Sequence, residues 1–528
     1  MLDKDYHMTE YYCYEAPDGN HKTSIHNTAK KIVLQRVPAR GVTLTVGVFF
    51  DGTGNNVENT NMRLEKCKSE NYGINARELA AFSEKCIAKK GYRDTAASSY
   101  LGYFTNIYWL SSLYQQDEQI EDDVLEAQRA IYIEGIGTIS NKPDSKYGMA
   151  FGNNETGVIA KTDRAIELIK EQISIFIDKN DMKSIAIAKI QFDIFGFSRG
   201  AAAARHFANR VNDEDPALVE AIMTGLKGFT QHGKPAGEIR FIGPFDTVAA
   251  VAALSDGLDP HDNNNHNVKL ELPAGIAKHV FHITAMHECR YNFCLNSIKD
   301  VWPELCLPGV HSDIGGGYNP KEYEYYFLTR PEIETVPENT LEQATRVYRN
   351  ASVQTESLFR FASLAPLLPS GVIKVECNSD DRMSPDRYNN FNKKVGAAVT
   401  FERTVSNDWS KVVLKVMYDI SKNAGVLFEE IQDSDKFLIC DELLPLCEKA
   451  ISQGKAIFSG AQFIPFTSDE INVIGKYIHC SANWNAIDYE SNRKITSGAR
   501  ASALLSYVNR PDTNWRRTVY NMKGDIIS

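Results

Sequence analysis

The stretch from Ile190 to Arg205, IQFDIFGFSRGAAAAR, limits what this chain can become more than any other. Six mostly apolar residues, Ile190–Phe195, lead into Gly196-Phe197-Ser198-Arg199-Gly200, and the alanines Ala201 to Ala204 follow at once. The apolar run suits a buried strand, and the alanines suit a helix whose backbone lies close against it. Between them stands G-x-S-x-G, the sharp strand-to-helix turn that lifts a serine hydroxyl to the top of an α/β sheet. Glycines flank the serine because bulky side chains would block so tight a reversal. Amides at the start of the following helix favour negative charge beside the hydroxyl. In a chain with 34 glycines among 528 residues the bare pattern is weak. The strand before it and the small-residue helix after it give it weight. Ser198 is therefore read as a nucleophile, against the alternative of a structural serine in a tight turn.

Composition sets the outer limits. The length allows two or more domains, and 43% hydrophobic with 24% charged residues is ordinary for a soluble globular protein. A formal charge of −10 argues against a general nucleic-acid binder and gives no pull toward anionic lipid. An enzyme acting at a membrane would then rely on apolar contacts or local basic patches. None of the ten cysteines forms a C-x-x-C pair, and Cys289 and Cys294 lack a matching second pair. No metal or cofactor is expected, and the cysteines read as mostly free thiols of a protein folded in a reducing cytosol. The first residues, MLDKDYHMTEYYCYEAPDGN, contain no apolar core, so no conventional signal peptide is expected. No apolar run approaches the length of a membrane span.

Along the chain, residues 1–40 read as a polar N-terminal arm. Val42–Phe50 (VTLTVGVFF) reads as a central strand, ending in the glycine- and asparagine-rich loop Asp51-Gly52-Thr53-Gly54-Asn55-Asn56. Open α/β sheets place their sites in loops at the carboxyl ends of strands, although this one could equally be a simple turn. Residues 57–125 look like a helical insertion, with a helix around Ala76–Lys89 and the aromatic run Ile107–Tyr114. That run suits either a lid that meets lipid or a helix buried on the core. Ala130–Glu134 is a short strand, and Val158–Ile177 a long amphipathic helix that feeds the Ile190 strand. Glu238–Ile242 runs into Gly243-Pro244-Phe245-Asp246-Thr247-Val248, Ala253–Asn267 is a polar loop, and Val280–Ala285 is a strand leading to His287. The pattern predicts an α/β fold, an α/β-hydrolase-like and mostly parallel sheet flanked by helices over residues 41–330. From 331 to 528 the alternation fades and a mainly helical region with some strands is expected, with membrane or partner binding as its assigned role.

A serine hydroxyl needs a base, usually a histidine held in one tautomer by a carboxylate. Hydrolases of this architecture carry them in the order serine, acid, histidine, and Ser198, Asp246 and His311 fall in that order, the last two after apolar strand-like runs. Asp313 is the rival acid, with Asp51 or another acid behind it, and His287 is the second candidate base. His206 and His282 read as packed structural histidines. For an oxyanion, the amide of Arg199 is one donor, and Gly52 or Thr53 on the early loop supplies another.

Six blocks together carry a family resemblance: FFDGTGNN (Phe49–Asn56), YIEGIGT (Tyr132–Thr138), GFSRGAAAAR (Gly196–Arg205), GPFDTV (Gly243–Val248), HECRYNF (His287–Phe293) and PGVHSDIGGGY (Pro308–Tyr318). In this order they resemble the first family of type VI secretion lipase effectors, whose catalytic part is an uncharacterised-domain type with an α/β-hydrolase-like core. The resemblance covers residues 42–320 well and the rest loosely. It implies an antibacterial phospholipase that cleaves an acyl ester of glycerophospholipids at sn-1 or sn-2. It implies loading onto a VgrG-type spike in the producer cytoplasm, delivery to the target periplasm, and neutralisation in kin by a periplasmic immunity lipoprotein. The positions matching the family's triad are Ser198, Asp246 and His311. A soluble intracellular esterase or thioesterase with the same triad, and a non-catalytic spike-associated binding protein, are the other readings.

Overall fold

The computed structural model describes residues 40–66, 98–117, 125–142, 144, 157–180, 182, 185–249, 268–381, 383–432, 434, 436–484 and 509–527. The arm up to residue 39, the helix expected around Ala76–Lys89 and the loop Ala253–Asn267 lie outside them.

The chain builds its first sheet from β1 (Arg40–Phe50), β2 (Glu126–Ile133), β3 (Ile185–Phe197), β4 (Glu238–Phe245), β5 (His279–Val280) and β6 (His282–Ala285). After the short β7 (Leu295–Asn296), β8 (Glu304–Leu307) completes it. The spatial order is β2-β1-β3-β4-β6-β8 with β5 on β4, and every described pairing is parallel. Parallel strands need crossovers that cover both faces, which is why β3 reads as a nearly unbroken apolar run: Ile190 to Phe197 are all buried. Its two polar residues are satisfied: Gln191 donates to the Thr45 hydroxyl at 3.2 Å, and Asp193 is matched by Arg240 at 2.6 and 2.9 Å and by the Tyr114 hydroxyl at 2.7 Å.

Two cores form because side chains alternate across the sheet. Val48 and Phe50 of β1 face the helices Val158–Lys179 and Arg199–Asn212, while Phe49 faces the opposite core. That opposite core is filled from far along the sequence. It takes Ile107, Trp109, Leu110 and Leu113 of the helix Asn106–Leu113, and Trp409, Val412, Val413 and Val416 of the helix Asp408–Asn423. The aromatic run Ile107–Tyr114 thus lies in the core, the second of its two sequence readings. Asn106 fixes it there, donating to the carbonyls of Ile314 at 2.8 Å and Ser410 at 3.1 Å.

Beyond the first sheet, β9 (Lys321–Phe327), β10 (Glu332–Pro337), β11 (Val372–Asp380) and β12 (Asn392–Ser406) form an antiparallel sheet. The long β12 pairs with β11 along one edge and with β10 and β9 in turn along the other. The helix Arg346–Leu358 packs on this sheet, whereas Asp408–Asn423 and Leu444–Phe458 pack on each other and against the first sheet. The last strand, β13 (Val519–Tyr520), returns to pair in parallel with β7. Among the described residues no helix is long and apolar enough to cross a membrane.

β1 connects onward to β2 on one side, while its other neighbour β3 connects onward to β4 on the opposite side, so the connections leaving these two adjacent strands run in opposite directions. A crevice opens at such a switch point. The loop after β1 and the turn after β3 meet there with no spare room. A Cβ on Gly200 would lie 2.3 Å from the Asp51 carbonyl oxygen and 2.5 Å from that of Phe50. Gly200→Ala is expected to cost about 1–3 kcal/mol of stability through overpacking, read as a lower urea midpoint. An unchanged midpoint would show that this contact does not constrain the turn.

Candidate active site

Ser198 stands between the end of β3 and the helix Arg199–Asn212, with φ 58° and ψ −128°. A non-glycine residue in that region costs about 1–3 kcal/mol and persists only where its surroundings enforce it. Here the enforcement is visible. The Ser198 amide donates to the Phe245 carbonyl at 3.1 Å, and its carbonyl accepts from the amides of Ala201 and Ala202 at 3.0 and 3.3 Å. Alanines 201–204 are buried, so the helix can lie directly on the sheet.

Asp246 lies at the end of β4, the neighbour of β3, and has φ 42°. It is fully buried. Its Oδ2 accepts from His311 Nδ1 at 2.5 Å, and its Oδ1 accepts from the Ala285 amide at 2.9 Å. Arg517 adds a two-pronged pair, Nη1 to Oδ1 at 2.6 Å and Nη2 to Oδ2 at 2.9 Å. Burial alone would raise the Asp246 carboxyl. Arg517 and His311 outweigh it and hold the group far below the usual carboxylate range.

His311 opens the short helix His311–Gly315. Its ring lies 4.6 Å from that of Phe197, the residue before Ser198, and 4.9 Å edge-on from that of Phe293. A Cβ on Gly315 would fall 2.1 Å from the Phe197 ring, so the histidine helix rests directly on the serine turn. Burial holds the imidazole below its ordinary value, with the Asp246 hydrogen bond pulling the other way. Since Nδ1 donates to Asp246, Nε2 carries the lone pair in the neutral ring. Trp409 secures the approach to this helix by donating to the Pro308 carbonyl at 2.5 Å.

The rival residues go elsewhere. Asp313 accepts from His479 Nδ1 at 2.7 Å, from the His479 amide at 2.9 Å and from the Val310 amide at 2.9 Å. It belongs to a second buried aspartate–histidine pair, stacked on Tyr318 at 3.6 Å between ring centroids. His287 Nδ1 accepts from the Gly309 amide at 2.9 Å, so its lone pair is occupied, and burial lowers it to about 4. His282 is satisfied on both nitrogens: Nε2 accepts from the Thr247 amide at 3.1 Å and Nδ1 meets Glu304 at 2.9 Å. His206 Nδ1 accepts from the Lys269 amide at 3.1 Å.

On the β1 loop, Gly52 and Thr53 are the two candidate donors. The Gly52 amide donates to its neighbour Asp51 Oδ1 at 2.6 Å, so it turns back on the loop and leaves Thr53 as that loop's candidate donor. Asp51 is itself buried and held by the Tyr132 hydroxyl at 2.5 Å and the Thr105 hydroxyl at 2.7 Å. Burial pushes its carboxyl up to about 6 despite these donors. Arg199 opens the helix after the serine, as the turn motif requires.

Sequence reasoning missed Glu288 and Arg517. Glu288 accepts from the His311 amide at 3.2 Å and from the Ser481 hydroxyl at 3.0 Å, and pairs with Arg290 at 2.8 Å. Burial would raise its carboxyl, but Arg290 lowers it to about 2. Its place beside His287 in HECRYNF was a usable signal. Arg517 sits in TNWRRTVYN, which carries none.

The His311–Asp246 bond is open to a direct check. A strongly hydrogen-bonded Nδ1 proton should give a far-downfield proton resonance that Asp246→Asn removes and Asp313→Asn leaves in place. Loss in the second variant alone would reverse the assignment of the two aspartates.

Comparison with known proteins bears on what this site serves. The family model for the type VI secretion phospholipase effector Tle1-like catalytic domain matches residues 212–342, a span that includes Asp246 and His311. A solved structure of the Tle1 effector bound to the VgrG spike of the type 6 secretion system is 43% identical, with a TM-score of 0.73, covering 97% of this chain and 100% of that one. An uncharacterized protein from Pseudomonas aeruginosa is 15% identical over 82% of this chain and 52% of that one, and its TM-score of 0.34 carries no argument. No curated protein matches.

Proposed function

The chain belongs to the Tle1 family of type VI secretion phospholipase effectors, and from that premise we propose that it is an antibacterial serine phospholipase A acting through Ser198, His311 and Asp246. The observation that carries the reading is the buried His311–Asp246 bond at 2.5 Å, on a helix packed against the strained turn that holds Ser198.

In this mechanism His311 Nε2 takes the Ser198 hydroxyl proton as Oγ attacks the ester carbonyl carbon of a glycerophospholipid. The carbonyl oxygen gains the negative charge and is met by the amides of Arg199 and Thr53. As the bond to the lysophospholipid oxygen breaks, the imidazolium returns its proton to that leaving group. Water, deprotonated by His311, then hydrolyses the acyl-serine and restores the enzyme. Asp246 keeps the imidazole in the tautomer that leaves Nε2 free and stabilises it when charged.

The same premise extends to delivery. The Tle1 effector of the solved complex is bound to a VgrG spike, and this chain is proposed to ride a spike of the same kind. Its target is the phospholipid of the recipient's membrane reached from the periplasm, and an immunity lipoprotein in that compartment protects kin.

Mass spectrometry of products from defined phospholipids is expected to show free fatty acid and lysophospholipid. Ser198→Ala should abolish both while the circular-dichroism spectrum is kept. Turnover of short soluble esters with no release from phospholipid would favour the esterase reading instead. Expressed with a periplasmic leader, the protein should arrest growth of cells lacking an immunity protein, and without the leader it should not. Equal toxicity in the two compartments would count against the periplasmic target.

A further inference from the structure

A fully buried carboxylate is costly to keep charged, and the cheaper state is the protonated acid. Protonated, Asp246 could neither accept cleanly from His311 Nδ1 nor stabilise an imidazolium. Three parts of the chain supply donors to it: Ala285 on β6, His311, and Arg517. Arg517 is the fixed cation among them. Its fork spans both oxygens, and its Nε donates to the Phe293 carbonyl at 2.5 Å, so the guanidinium is held on both sides.

The segment carrying Arg517 is laced along residues 289–297. The Asp512 amide donates to the Cys289 carbonyl at 2.7 Å, the Tyr291 amide to the Arg510 carbonyl at 3.1 Å, the Leu295 amide to the Thr518 carbonyl at 3.0 Å and the Ser297 amide to the Tyr520 carbonyl at 2.9 Å. Pairing of β13 with β7 fixes its register. The arginine is thus delivered by a rigid strap, and a planar guanidinium matches a carboxylate as a lysine ammonium does not.

Resting on the triad reading above, we infer that Arg517 is a positioning residue of the hydrolytic site: its fork keeps Asp246 a carboxylate and turns Oδ2 toward His311 Nδ1. The other titratable groups facing the pair are Glu288 and Arg290, which are bound to each other at 2.8 Å, and the thiols of Cys294 and Cys306. Arg517 is therefore the cation whose loss alters the charge of the pair directly. Without it, a proton binds the aspartate–histidine pair more readily, and the base form is lost at a higher pH.

The test is the pH profile of kcat/KM on a defined phospholipid for the full chain. The native acidic limb is expected below the ordinary imidazole value of 6.5. Arg517→Met should move it up by about one pH unit or more and lower kcat with little change in KM. Arg517→Lys should restore most of the limb position but not all of kcat. Because Arg517→Met leaves a buried carboxylate without its cation and can unfold the protein, a second comparison uses Asp246→Asn, in which adding Arg517→Met strands no carboxylate. Adding Arg517→Met to that variant should cost less than about twofold further in kcat/KM if Arg517 acts through Asp246. An unmoved acidic limb in a folded Arg517→Met protein, or a full additive loss in the Asp246→Asn background, overturns the inference. Native activity in Asp246→Asn alone would instead remove the triad reading on which it rests.

Discussion

Asp246 has none of its surface in water, and most of the architecture around the candidate site is the means of keeping it charged there. A carboxylate in that position needs donors on both oxygens, and no local segment can provide them. The backbone at Asp246 adopts φ 42°, which turns the side chain back among β6, the His311 helix and the strap carrying Arg517. The His311–Asp246 bond follows from this arrangement, and so does the short reach between the histidine helix and the serine turn. Removing one partner from such a buried pair typically costs about 3–5 kcal/mol, so the site and the stability of the fold are coupled.

The region after residue 330 is part of the same arrangement. It fills one core of the first sheet with the helix Asp408–Asn423, holds the loop before His311 through Trp409, and sends His479 to Asp313. Ser481 reaches Glu288, whose carboxylate in turn accepts the His311 amide. The His311 helix and the loop leading into it thus also take contacts from residues more than ninety positions away in sequence. A helix of five residues has little stability of its own, so these contacts determine where His311 stands.

What was legible in the sequence was whatever local geometry enforces. An apolar run that must be buried on both faces, followed by glycines around a serine and then small residues, can satisfy its packing in few ways; β3, the strained turn and the alanine-faced helix follow from it. Asp246 and His311 were legible for a similar reason, since each lies just past an apolar stretch at the rim of the sheet. The order serine, acid, histidine favoured Asp246 over Asp313, but the partner that occupies Asp313 was not legible. Both are aspartates near the right elements, and what separates them is that Asp313 already serves His479. The engagement of the Gly52 amide by Asp51 was likewise invisible, because Asp51 is pinned by Tyr132 and Thr105 from two other segments.

The sequence by itself therefore determined the serine turn, the parallel α/β layout and the order of the catalytic candidates, all properties written in runs of neighbouring residues. Only the tertiary structure decided which acid meets which histidine, which amide remains on the β1 loop, and that an arginine 271 positions from Asp246 completes its surroundings. Backbone conformation and hydrophobic periodicity act over a few residues and leave a readable pattern. Matching a buried charge depends on whichever donors the finished fold brings within about 3 Å, and an arginine in an ordinary polar stretch gives no sign of where its guanidinium will go.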